Sequence, residues 1–244
     1  MKTKAALILC SILICMGSCA KKETHNFSIS GTVKGLKKGT LYLQKIEDTL
    51  LITIDSLVVD GNPDFDFRTT LQEPEALYVY LDKVDNSQYD DRIFFFAEPE
   101  AIMTLSTTLE NFESFAAIAG SQNQIKWGEF EKINKGFNNT NLDLIKGSFD
   151  AQKENDASLI AAYDDSLQQL IQRKYRYTGQ FIINHNDMAV APYIAITQIP
   201  DAKVPFLEEL YGKLAEDIKN SKYGLSLKDL IEQRQAQEKL TENN

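Results

Sequence analysis

The sequence predicts an α+β protein: an antiparallel β-sandwich or partly open barrel of about eight strands, followed by a packed helical region. Three observations carry this. From Phe27 to about residue 120, apolar residues alternate with polar ones at a period of two. Turn-forming residues punctuate that stretch at short, regular intervals. Beyond it, apolar residues recur at helical spacing. The 244 residues are 43% hydrophobic and 25% charged, a globular composition that excludes disordered, collagenous and disulfide-rich classes.

Each strand has its own signature. Phe27, Ile29, Gly31 and Val33 alternate with Ser28, Ser30 and Thr32, and residues 35–39 form a turn between two glycines. Residues 40–46 follow, with Leu41 and Leu43 on one face. A third strand, 50–59, closes at Asp60-Gly61-Asn62-Pro63, where Gly supplies positive φ and Pro removes a donor. Phe65 and Phe67 then alternate with Asp64, Asp66 and Arg68, and residues 76–81, 92–96, 101–106 and 114–119 complete the set.

The helices announce themselves by stripes. Leu159, Ile160, Tyr163, Leu167, Leu170 and Ile171 share one face, as do Phe206, Leu207, Leu210, Tyr211, Leu214 and Ile218. Asp187 is expected to N-cap a short helix through Pro192, Tyr193 and Ile196. Tyr175 and Tyr177 bracket Arg176 as a helix-end contact. Tyr223-Gly224 is read as a break, with a last helix over 225–239 that frays from Glu232 onward. Such amphipathic helices need a partner surface, so they are expected to pack on each other and on the sandwich edge as one unit. The expected division is 1–18 signal peptide, 19–26 tether, 27–120 sandwich and 121–240 helical region.

The first residues carry an address. Lys2 and Lys4 precede an apolar run, 5–15, broken only by Ser11 and too short to span a bilayer. It ends in Met16-Gly17-Ser18-Cys19, which resembles a bacterial lipobox. Cleavage is expected between Ser18 and Cys19, with the Cys19 thiol as the nucleophile that takes up lipid. Losing Lys2 and Lys4 takes the side-chain charge from −9 to −11, and Cys10 and Cys15 leave with the signal. The mature chain then has neither a free thiol nor a disulfide. Several acyl chains on one residue anchor stably without a spanning helix. Ala20 stands where many bacteria place the Asp of an inner-membrane retention signal, which favours the outer membrane, on its periplasmic face or at the cell surface. The seven-residue tether, 20–26, reaches at most ~25 Å, so the folded part lies close to the bilayer.

Chemistry-bearing clusters are sparse. With 35 acidic against 26 basic side chains, no nucleic-acid partner is expected. His25 and His185 have no second ligand at metal-binding spacing, so neither a metal nor a cofactor is expected. Asp82, Asp85, Asp90 and Asp91 crowd one loop but lack the spacing and central Gly of a calcium loop, and Asp164-Asp165 reads as a wet helix face. There is no Gly-x-Ser-x-Gly and no phosphate-cradling glycine loop, although a hydrolytic carboxylate pair could hide among the acids. The aromatics are the most suggestive feature. Tyr78, Tyr80 and Tyr89 cluster in sequence with Phe94, Phe95 and Phe96. If Phe94 and Phe96 face the core, Phe95 points outward, unless helices cover that side. Tyr78, Tyr80, Tyr89 and Phe95 are therefore the candidate binding surface for a partner protein or ligand, with burial under a helical layer as the plainer reading. Asp48-Thr49-Leu50, Asp55-Ser56-Leu57 and Asp165-Ser166-Leu167 resemble a three-residue O-glycosylation signal, making Thr49, Ser56 and Ser166 candidate acceptors.

A wider pattern connects these pieces. It consists of Phe27-x-Ile29-x-Gly31, Gly39-Thr40-Leu41-Tyr42-Leu43, Ile54-Asp55-Ser56 with Val58 and Val59, and Asp60-Gly61 leading to Phe65-x-Phe67. Pro74, Phe94-Phe95-Phe96-x-Glu98 and Gly120-Ser121-x-Asn123 continue it, followed by Phe181-Ile182-x-x-His185 and Ser221-x-Tyr223-Gly224. Together they resemble Bacteroidetes lipoproteins carrying the DUF4369 domain, over roughly 27–235. Asn62-Pro63 departs from the family's tight turn, and the helices match more loosely than the strands. The resemblance implies a module that commonly precedes a thioredoxin-like domain with Trp-Cys-x-x-Cys. No cysteine follows Cys19 here, and thiol exchange needs two thiolates, so that activity does not carry over. The expectation is a non-catalytic, lipid-anchored accessory or binding module of the cell envelope. The alternatives are a docking partner of a separate thioredoxin-like protein and a carboxylate-dependent envelope hydrolase.

Overall fold

The computed structural model describes residues 25–47, 50–83 and 91–242. In chain order these form β1 (Phe27–Lys34), β2 (Lys38–Glu47), β3 (Leu50–Asp60), β4 (Asp64–Thr69), β5 (Glu75–Lys83), β6 (Arg92–Ala97), β7 (Ile102–Thr108) and β8 (Ala117–Ala119). The helices are α1 (Gln122–Glu154), α2 (Ala157–Asn184), α3 (Val190–Gln198), α4 (Val204–Lys213), α5 (Glu216–Lys219) and α6 (Lys222–Glu242).

Two four-stranded sheets, ordered β4-β1-β7-β8 and β3-β2-β5-β6, face each other as a sandwich rather than a closed barrel. Pairing is antiparallel except between β1 and β7, which run parallel with Ser28 opposite Ile102. Gly31 permits that pairing: a Cβ there would lie 1.7 Å from the Leu105 carbonyl oxygen. Alternating residues of both sheets, among them Ile29, Leu41, Phe67, Leu77 and Met103, form the inter-sheet core.

On its β5–β6 side, the β3-β2-β5-β6 sheet is buried on a second face as well. Phe96 and Ala76 join Phe130, Ile182, Val190, Ile194 and Leu207 in a core shared with the helices. This corrects the expected outward position of Phe95. In the β5–β6 register Phe95 pairs with Leu77, and Tyr78 pairs with Phe94. Phe95 is 0% exposed inside the sandwich, and Phe94 and Phe96 lie under the helices. Alternation holds, but the outer face is the one with a helical lid, so Phe95 belongs to no surface.

Other boundaries also shift. β8 covers only Ala117–Ala119, because residues 110–115 turn instead, with the Phe115 amide donating to the Asn111 carbonyl. Asp187 does not cap α3; the amide of Val190 is taken by the Asn123 side chain at 2.8 Å, so the cap comes from α1. The stripe from Phe206 to Ile218 is cut at Leu214, whose extended backbone separates α4 from α5. Tyr223-Gly224 lies inside the first turn of α6, whose backbone stays helical to Glu242. Gly224 is required there by close approach, since a Cβ would meet the Ile218 carbonyl oxygen at 1.9 Å. Tyr175 and Tyr177 sit within α2 rather than at its end, and His185 is its C-cap. Between α1 and α2 the chain reverses in two residues: Asn155 in the left-handed region, then Asp156, whose carboxylate accepts the Ser158 and Leu159 amides. Among the described residues, no helix is long and apolar enough to cross a membrane.

Candidate functional site

α3 and α6 cross the outer face of β5 and leave a groove of about 720 Å³ beside it. Its walls are the end of β2 (Lys45, Ile46, Glu47), the β4–β5 connection (Thr70 to Glu73), Glu75 and Tyr78 of β5, Tyr193 and Thr197 of α3, and Lys222, Tyr223 and Ser226 of α6. Three phenols define its floor. The Tyr193 ring packs on Tyr223 at 5.0 Å and on Phe94 at 5.5 Å, and Phe94 in turn meets Tyr78 at 5.6 Å. The Tyr223 hydroxyl accepts the Ala76 amide at 2.7 Å, which satisfies a buried donor of β5. The Tyr193 hydroxyl is hydrogen-bonded to that of Tyr78. Burial, reinforced by neighbouring phenols and carboxylates, holds Tyr193 and Tyr223 well above the usual phenol range. Both are neutral hydrogen-bonding groups at physiological pH.

The groove's charges are engaged. The Lys222 ammonium pairs with the Glu75 carboxylate, and the Lys222 amide donates to Glu73 at 2.8 Å. Lys45 pairs with Glu47 at 3.4 Å. The arrangement offers aromatic walls, fixed hydroxyls and a carboxylate–ammonium pair, a set suited to holding a polar ligand by hydrogen bonds and ring contacts. Among the described residues there is no group of three or more His, Cys, Asp or Glu side chains placed to hold a metal ion.

Of the candidate binding residues Tyr78, Tyr80 and Phe95, the structure brings Tyr78 into the groove. Tyr80 lies on the same face of the sheet, stacked on Tyr42 at 5.8 Å under the Arg92 guanidinium at 5.1 Å. Tyr89, Asp85 and Asp90 lie outside the described residues, as do Thr49, Ser18 and Cys19. Asp91 pairs with Lys83 at 2.6 Å. Ser56 is exposed on β3, and the Ser166 hydroxyl donates to the Ala162 carbonyl at 2.8 Å within α2. The His185 ring stacks on Phe181 at 4.3 Å, with Nδ1 2.8 Å from the Phe181 carbonyl oxygen. Tyr193, Lys222, Glu73 and Glu75 were missed. Their one sequence signal is Ser221-x-Tyr223-Gly224, which looks like a break in the sequence and is in fact a helix start packed against its neighbour.

A second polar constellation explains other motif residues. Oε1 of Glu98 accepts from the Ser121 hydroxyl at 2.8 Å, the Asn123 amide at 2.5 Å and the Asn123 side chain at 2.8 Å. The first turn of α1 contains no acid, so Glu98 supplies the anion its positive end favours. Ser121 caps the Gln124 amide, and the Gln124 side chain accepts the Phe96 amide at 2.8 Å on the outer edge of β6. Phe96-x-Glu98 and Ser121-x-Asn123 are thus one clamp that docks the helical layer onto the sandwich.

Comparison with curated proteins gives no match. Residues 27–127 match the family model described as Domain of unknown function (DUF4369). The match takes in both sheets, the Glu98 clamp and the opening of α1 as far as Trp127, whose ring lies 4.7 Å from that of Phe94. The sandwich and the start of the helix clamped to it are therefore a DUF4369 domain.

Proposed function

We propose that this chain is a lipid-anchored, non-catalytic binding module of a bacterial cell envelope of Bacteroidetes type, held at the outer membrane through Cys19, with the tyrosine-lined groove as its ligand site. The observation that carries the reading is the order at the start of the sequence: two lysines, an apolar run too short to span, then Met16-Gly17-Ser18-Cys19. The groove supports the binding half. Its two β5-side acids, Glu73 and Glu75, are both tied to Lys222, and its phenols serve as neutral hydrogen-bonding groups. Cys19→Ala tests the anchor. The variant is expected to accumulate as unprocessed precursor or to leave the membrane fraction, and to lose incorporation of labelled fatty acid. Unchanged processing and fractionation would remove the lipid from the proposal.

A further inference from the structure

We infer that the free end of the β2–β3 hairpin is a second membrane contact, in which Ile46, Leu50, Leu51 and Ile52 enter the bilayer interface beside the lipid anchor. The inference rests on the anchoring proposed above. These side chains are 46%, 66%, 43% and 37% exposed. Leu51 stands opposite Ile46, while Leu50 and Ile52 stand opposite Glu47 and Lys45. Successive strand residues point to opposite faces, so both faces of the hairpin end carry bare apolar groups, which one sheet core cannot cover.

The topology puts this end where the tether begins. Asn26, the last tether residue, is fixed by two hydrogen bonds to Leu71, from its side-chain amide to the Leu71 carbonyl (2.9 Å) and from the Leu71 amide to its side-chain oxygen (2.8 Å). Leu71 shares a groove wall with Lys45, Ile46 and Glu47. β1 departs from this end and β2 returns to it, so the hairpin and the start of the fold lie on one side of the sandwich. At most ~25 Å of chain separates Asn26 from Cys19, so a lipid at Cys19 would bring the same side to the bilayer. Among the described residues of the hairpin end, the charges of Lys45 and Glu47 are paired with each other, which lowers the cost of bringing them to the headgroups. Four side chains are too few for the area a stable protein interface buries, whereas a bilayer requires no shape complementarity.

Acyl chains alone would hold the protein, so the test reads position rather than retention. The lipidated chain carrying Leu51→Cys, labelled with a polarity-sensitive dye, is reconstituted into phosphatidylethanolamine–phosphatidylglycerol vesicles with and without nitroxide lipid. Val58→Cys, 75% exposed toward the other end of β3, is the control, and Leu50→Cys repeats the measurement should the first variant fold poorly. The label at 51 is expected to shift to the blue and to be quenched at least about twofold more than the label at 58. Equal quenching on vesicles that retain the protein would overturn the membrane contact and leave the anchor standing. Protein that fails to float with the vesicles would remove the anchor and the contact with it. A blue shift at 51 that grows with protein concentration in the absence of vesicles would assign the surface to a second copy and overturn the inference. A sugar on Thr49 of the native protein would do so as well.

Discussion

The two halves of the β3-β2-β5-β6 sheet show how far an outer face can diverge along one sheet. On the β5–β6 side, Phe94, Phe96 and Tyr78 point outward, and α1, α3 and α6 cover them. On the β3 side, the outward Leu51 and Val58 remain exposed. Both halves are apolar and both alternate. What separates them is the Glu98 clamp and the helices it docks, which begin some twenty-five residues after β6 and pack over Phe94 and Phe96. Local pattern specifies which residues share a face; coverage of that face is decided elsewhere in the chain.

The sharpest way to break the comparison is to shorten an outward side chain on each half. Phe96→Ala opens the covered half and is expected to lower stability by about 3–5 kcal/mol, because a fully buried aromatic leaves a cavity between sheet and helices. Val58→Ala on the bare half is expected to stay within about 0.5 kcal/mol of the parent. Urea unfolding measures both. Trp127, the single tryptophan, packs against Phe94 and Tyr193, so its emission should move to the red in the first variant only. Equal losses would mean that the helical layer adds nothing to the burial of Phe96.

A smaller effect comes from cutting the clamp without touching the core. Glu98→Ala removes an acceptor shared by three donors and is expected to cost about 1.5–3 kcal/mol, the range for hydrogen bonds to a charged group. Hydrogen exchange locates the loss. Amides at the start of α1 and the Val190 amide, which depends on Asn123, should exchange faster, while β2 and β3 keep their protection. Faster exchange throughout both sheets would show that the sandwich cannot hold itself together without the helical layer.

Much of the sandwich was legible. Phe27-x-Ile29-x-Gly31, Asp60-Gly61 and Phe65-x-Phe67 each carry a local cause: alternation, a turn, or a close approach. With the helical stripes beyond residue 120 and the regular turns, such motifs make the α+β class and the strand count legible, and their order carries the DUF4369 resemblance that the family match bears out. The groove was much less so. Tyr78 was found because it sits in an aromatic run, but Tyr193 and Tyr223 lie 115 and 145 residues later and meet it only after three helices pack. Phe95 was misplaced because alternation says which phenylalanines share a face and leaves open which face the helices cover. Asp187 resembled a cap because the true one, the Asn123 side chain, comes from another helix.

The subtlest expected difference lies in alkali. Burial, then a hydrogen bond to Asp201 and the charge of that carboxylate, pushes the Tyr175 phenol up to about 12, with Arg234 opposing. Tyr193 and Tyr223, buried beneath α3 and α6, are raised further in the same direction. An unfolded phenol ionises near pH ~10. Below that value these three tyrosines are protonated in both states and their contribution to stability is constant. Above it the unfolded chain releases protons that the folded chain keeps, so stability declines as the pH rises through about 12 for Tyr175, and the decline continues for the two groove tyrosines. Phenolate absorbance during alkaline titration should therefore rise in two stages, with the Tyr193 and Tyr223 share appearing only when Trp127 emission reports that the helices have left the sheet. In Tyr223→Phe the late stage should shrink by one phenol while its link to Trp127 persists. A single stage completed before any change at Trp127 would mean that water reaches the groove floor in the folded protein, and the covered half of the sheet would then be as open as the bare one.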